Sequence, residues 1–232
     1  MKSNGVPILS RKEIDSIASS FVRDFQPEAL VHPQEIRIEE FSEYYLHLTP
    51  DYQYLSHNGI YLGMTVFQDT DRVIVYCPET GTAEYIHADA HTVIIDRRLI
   101  EDGKQEHRYR YTLGHECGHE VFHSPIFCNP SNSPMTAPLC SPVMHCRLDT
   151  PKNRRIDPRY WTDKDWIEWQ ANTFSSALLM PAEAVRTIYE FSDWNPWETK
   201  NDIAVRNMVE IFNVSFEAAT YRLKDLGYFY GE

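Results

Sequence analysis

The chain has 232 residues, 42% hydrophobic and 24% charged, with a formal net charge of −12. That length fits one large domain, or one domain with a small appendage, and can bury a real core. The acidic balance argues against direct contact with nucleic-acid phosphates or anionic membranes, and no run reaches the 18 or more apolar residues of a membrane helix.

Fourteen Tyr, eleven Phe and five Trp argue against extended disorder. Residues 1–7 lack the apolar run of a secretory signal, and five irregularly spaced cysteines read as reduced thiols. A cytoplasmic location is the expectation.

Ser10-Arg11-Lys12-Glu13 has the S-x-x-E form of a capping box, and Ile14, Ile17, Ala18, Phe21, Val22 and Phe25 then recur at helical spacing. A second helix is predicted from Pro33 to about Tyr45. Ile60 to Phe67 and Arg72 to Cys77, joined by a polar tetrapeptide, read as a hairpin. Thr92 to Asp96 is predicted as a strand that offers an edge to an extended peptide. Prolines at 125, 130, 134, 138, 142, 151 and 158 exclude long helices from Ser124 to Tyr160, where an ordered loop excursion or lid is expected, with a disordered linker as the alternative. A strong helix starts at Thr162 to Asp165 and stops at Pro181. Two short helices, about Asn201 to Phe212 and Phe216 to Leu226, close the chain.

The chemistry is concentrated in His115-Glu116-Cys117-Gly118-His119, an H-E-x-x-H motif. Residues four apart on a helix lie roughly 6 Å apart along its axis on one face, so both imidazoles can reach one Zn²⁺. Glu116 lies beside them as a general base. A chance match is weighed against this reading, but Gly114 and Gly118 flank the histidines. They suit a helix closely approached by another backbone better than a solvated one. Cys117 points away and is expected to pack behind the site.

A catalytic zinc usually has three protein ligands and an open position. The short-spaced third histidine is missing, because Pro125 occupies its slot. Glu168 is the candidate, with Asp165 and His123 as rivals and Asn172 as supporting hydrogen-bond partner. Tyr111 and His123 read more simply as a packing tyrosine and a surface histidine. A second zinc site over Cys128, Cys140 and Cys146 lacks the tight C-x2-C spacing and is disfavoured.

Residues Tyr111 to His119 are similar to the T-L-A-H-E-L-G-H segment of the ImmA/IrrE family of zinc metallopeptidases. Glu168 to Pro181 resembles that family's second block, E-x-x-A-N-x-F-A-x-x-L-L-M-P, with Ser175 where alanine is usual. The resemblance implies Glu168 as third zinc ligand beside His115 and His119, with Glu116 as catalytic base. It implies an α+β fold: a zincin-like core with a small mixed sheet packed on the active-site helices. Residues 1–190 would form that domain and 191–232 a C-terminal, helix-turn-helix-like segment. Between Glu198 and Glu232, six acidic residues against four basic ones make this segment a poor DNA binder. The expected function is a zinc endopeptidase that cleaves a specific cytoplasmic protein, and the resemblance suggests a DNA-binding transcriptional repressor tied to a phage or mobile element. The alternative is a zinc-stabilised protein that sequesters a regulator without cutting it.

Overall fold

The computed structural model describes residues 6–101, 103–127, 143–147, 161–192 and 197–229. Helix α1 (Arg11–Phe25) starts at the expected capping box: the Glu13 amide donates to Ser10 Oγ, and the Ser10 amide donates to the Glu13 carboxylate. Its buried face carries Ile14, Ala18 and Val22. Short α2 (Glu28–Val31) follows, then α3 (Ile38–Glu40), which runs into a π-helical turn at Phe41–Tyr45.

The helix predicted from Pro33 therefore begins only at Ile38. Side chains claim the backbone groups that such a helix would need. Buried Gln26 donates to the Glu35 carbonyl and accepts from the Arg37 amide, while Arg110 donates to the Ile36 carbonyl. Satisfied this way, residues 33–37 have no need of helical hydrogen bonds.

Five strands come next: β1 (Thr49–Gln53), β2 (Tyr61–Val66), β3 (Thr70–Cys77), β4 (Thr82–Ala88) and β5 (Thr92–Asp96). After α4 (Arg98–Glu101) comes the long α5 (Glu106–Phe127), and then β6 (Val143–Arg147). The chain continues as α6 (Asp163–Leu179), α7 (Ala182–Glu190), α8 (Lys200–Phe212) and α9 (Phe216–Asp225). The fold is α+β.

One sheet has the order β1-β5-β2-β6, with β5 parallel to β1 and β2 antiparallel to β5 and β6. A separate ribbon pairs β3 with β4. The predicted hairpin of 60–67 with 72–77 is thus overturned, since its two arms lie in different sheets. The true partner, β4, is almost wholly exposed and leaves no apolar alternation to read. The predicted edge role of 92–96 is corrected too. β5 lies inside the sheet with all five residues buried, and a strand flanked on both sides has no free edge.

Prolines also proved less disruptive than expected. Helix α5 continues through Pro125 to Phe127. A proline near a helix end removes one backbone hydrogen bond. Here Ile126 and Phe127 are buried with Val6, Phe67 and Ile167, which offsets that loss, and Gln68 donates to the Phe127 carbonyl. Strand β6 is a second regular element inside the supposed excursion. The lid reading otherwise concerns residues outside the described set, as does the second zinc site at Cys128, Cys140 and the Cys146 side chain.

Helices α5 and α6 form the contact that positions the site. A methyl group built on Gly118 would lie 3.0 Å from Ala171 Cα and 3.2 Å from its carbonyl oxygen. On Gly114 it would lie 2.7 Å from Ser175 Oγ, which itself donates to the Tyr111 carbonyl. The two glycines therefore serve close helix approach, as the sequence indicated. One large core joins α1, β5, α5, α6, α8 and α9. Two buried arginines fix the last helices to it. Arg222 donates to the Met180 carbonyl and to Asp15, and Arg110 donates to the Asn213 carbonyl.

Gly63 marks where β2 crosses α5. A methyl group there would lie 2.4 Å from Glu116 Oε1 and 2.7 Å from Thr112 Cγ2. Gly63→Ala is expected to destabilise the fold by about 1–3 kcal/mol, read as a lower urea midpoint at unchanged m-value. An unchanged midpoint would contradict this close approach.

Candidate functional site

The H-E-x-x-H residues occupy the middle of α5, and all are buried. Helical spacing places His115 and His119 on one face, their rings edge to face and their Nε2 atoms 2.9 Å apart. From α6, Glu168 extends its carboxylate to 3.5 Å from His115 Nε2 and 3.9 Å from His119 Nε2. One ligand atom from each of the three lies within 4.8 Å of the others. Among the described residues this is the one such cluster of metal-ligating side chains.

The rivals for the third position are engaged elsewhere. Asp165 caps α6, accepting from the amide and hydroxyl of Thr162. His123 is fully buried, so its reading as a surface histidine is corrected. It lies one turn beyond His119, and its Nδ1 is 3.0 Å from His119 Nδ1. Cys117 packs in the core as expected, and burial pushes its thiol up to about 12. Tyr111, read as a packing residue, also donates its hydroxyl to the Asn172 carbonyl.

Support comes from three further places. Asn172 Oδ1, one turn after Glu168, lies 3.0 Å from His115 Nδ1 and keeps the proton on that nitrogen. Strand β2 places Thr65 so that its hydroxyl donates to Glu116 Oε2 at 2.6 Å. Buried Gln170 lies 3.0 Å from His123 Nε2. Sequence reasoning anticipated Asn172 but missed Thr65, whose strand is far from the motif in sequence. For His123 a signal existed: the i, i+4, i+8 series of His115, His119 and His123 puts all three on one helix face.

Burial dominates the electrostatics. Desolvation lowers His115 to about 4, against the opposing hydrogen bond to Asn172. It drives His119 well below the usual histidine range, helped by its imidazole neighbours. The imidazoles are thus neutral at pH 7, as metal ligation requires. Glu116 is raised well above the carboxylate range by burial and, to a smaller extent, by the Glu168 charge, with Thr65 opposing.

These groups suit a divalent metal ion. With its proton held on Nδ1, His115 turns a bare Nε2 toward His119 Nε2 and the Glu168 carboxylate. Two imidazoles with a carboxylate, their ligand atoms within 4.8 Å of one another, are borderline-hard donors of the type divalent metals take. Glu116 Oε1 is buried with no hydrogen-bond partner among the described residues. That leaves it available as a proton acceptor next to the cluster.

A buried base beside a His-His-Glu cluster can support metal-assisted hydrolysis. Residues 139–224 match the family model Peptidase_M78, described as the IrrE N-terminal-like domain. That match bears out the ImmA/IrrE resemblance and points to a metallopeptidase. It covers the block from Glu168 and the closing helices but starts after the H-E-x-x-H motif. A search against curated proteins gives no match at a significant level. No helix among the described residues is long and apolar enough to cross a membrane.

If the three residues share one ion, Glu168→Ala should lower metal affinity by more than the roughly tenfold to hundredfold loss typical of supporting residues. Glu116→Gln should keep an equimolar metal. Equilibrium dialysis with elemental analysis reads both, and full stoichiometry at unchanged affinity in Glu168→Ala would remove Glu168 from the site.

Proposed function

We propose that this chain is a zinc-dependent endopeptidase with a zincin-like core, in which His115, His119 and Glu168 hold the metal and Glu116 is the catalytic base. The observation that carries the reading is the convergence of two neutral imidazoles and a carboxylate beside a second, buried carboxylate. Zinc bound there supplies Lewis acidity, which polarises a peptide carbonyl and makes water acidic enough to attack it near neutral pH.

The chain's own groups do the rest. Thr65 occupies Glu116 Oε2, so Oε1 is the atom that takes a proton from the attacking water and passes it to the leaving amine. The raised pKa of Glu116 favours that role, since a stronger base accepts the proton more readily and holds it for transfer. Asn172 holds His115 in the ligating tautomer. The ImmA/IrrE resemblance supports a DNA-binding transcriptional repressor as the protein cut. The chain's own net charge of −12 supports a role in which it meets the regulator and not the DNA.

The test compares protein N-termini in a host-like lysate after adding zinc-loaded wild type or Glu116→Gln. New termini with wild type alone are expected and would name the substrate and scissile bond. Equal products from both proteins would exclude Glu116 as the base, and none from either would favour a sequestering protein.

A further inference from the structure

Beyond the ligands lies a chain of hydrogen bonds that leads from His119 to the N-terminal segment. His119 Nδ1 is 3.0 Å from His123 Nδ1, and His123 Nε2 is 3.0 Å from Gln170 Oε1. Gln170 Nε2 donates to the Pro7 carbonyl at 2.7 Å. His119, His123 and Gln170 are each fully buried. Neighbouring Val6 is buried among Phe67, Ile126, Phe127 and Ile167, which anchors the segment that carries Pro7.

The direction of this chain follows from its far end. A carbonyl oxygen can only accept, so the Gln170 amide NH₂ faces Pro7 and its oxygen faces His123. That oxygen must receive a proton, which puts the His123 proton on Nε2. A neutral His123 then has a bare Nδ1, and the only proton that can fill the short Nδ1–Nδ1 contact belongs to His119. His119 Nε2 is thereby left with its lone pair, aimed at His115 Nε2 and Glu168.

We infer that Pro7, Gln170 and His123 form a one-way hydrogen-bond relay that locks His119 in its metal-ligating tautomer, as Asn172 does for His115. His123 and Gln170 are positioning residues. The relay's purpose rests on the metal-site reading above. Its direction does not, and can be measured without metal. Reversal of any single link would put the proton on His119 Nε2 and block ligation there. Orienting partners of metal-bound histidines typically contribute tenfold to hundredfold in metal affinity.

The first arm of the test is imidazole ¹⁵N NMR on metal-free wild type at pH 7. The expected result is His119 protonated on Nδ1 and His123 on Nε2. A proton on His123 Nδ1 would overturn the relay. The second arm measures zinc affinity by competition with a chelator in Gln170→Met and Gln170→Glu, each checked for folding by urea denaturation. Methionine fills the space but offers only a weak sulfur acceptor, and should weaken zinc binding by tenfold or more. Glutamate restores an acceptor for His123 Nε2 and should recover most of that loss, despite placing a carboxylate against the Pro7 carbonyl. A purely packing role gives the opposite order, with methionine better tolerated than glutamate, and would overturn the inference. If wild type itself takes up no zinc, the metal-site reading fails, while the NMR arm still decides the relay.

Discussion

Helices α5 and α6 meet over Gly114 and Gly118 on one side and Ala171 and Ser175 on the other, and the His-His-Glu cluster depends on that separation. A side chain at either glycine would meet α6 at less than ordinary contact distance and force the two helices apart. Leucine or alanine there would favour an isolated helix. The chain gives up that propensity twice in one turn to bring a carboxylate from α6 over the imidazoles of α5. Local helix preference is subordinate here to the approach of two backbones.

Close packing creates a second problem, which the structure solves with hydrogen bonds. His115, His119, His123 and Glu116 are buried, and an unsatisfied polar group among them would cost about 1–3 kcal/mol. Their partners come from separate stretches of chain: Thr65 on β2, Asn172 and Gln170 on α6, and the Pro7 carbonyl before α1. The site is therefore a property of the assembled fold and not of the motif helix. Burial also sets the chemistry, keeping the histidines neutral and raising Glu116 above the range of an ordinary carboxylate.

Much of this was legible in the residue order, for identifiable reasons. α1 and α6 carry capping boxes and apolar stripes, and the closing helices α8 and α9 repeat apolar residues at helical spacing, so local signals sufficed. The H-E-x-x-H spacing and the downstream Glu168 block named the residues that the fold brings together. The failures share one cause: partners distant in sequence decided the outcome. Gln26 and Arg110 hold residues 33–37 out of a helix, β4 pairs without an apolar pattern, and β1 and β2 enclose β5 on both sides. Pro125 carries a local penalty, but burial of Ile126 and Phe127 takes the helix past it. His123 differs: its i+8 place after His115 puts it on the ligand face of α5, a local signal that the surface reading overlooks.

The most direct measurement is anomalous diffraction at the zinc edge from crystals of the zinc-loaded protein. The expected result is a strong peak bounded by His115 Nε2, His119 Nε2 and the Glu168 carboxylate, with Glu116 alongside but not bound. A peak that omits Glu168, or one centred on other side chains while this cluster stays empty, would contradict the assignment.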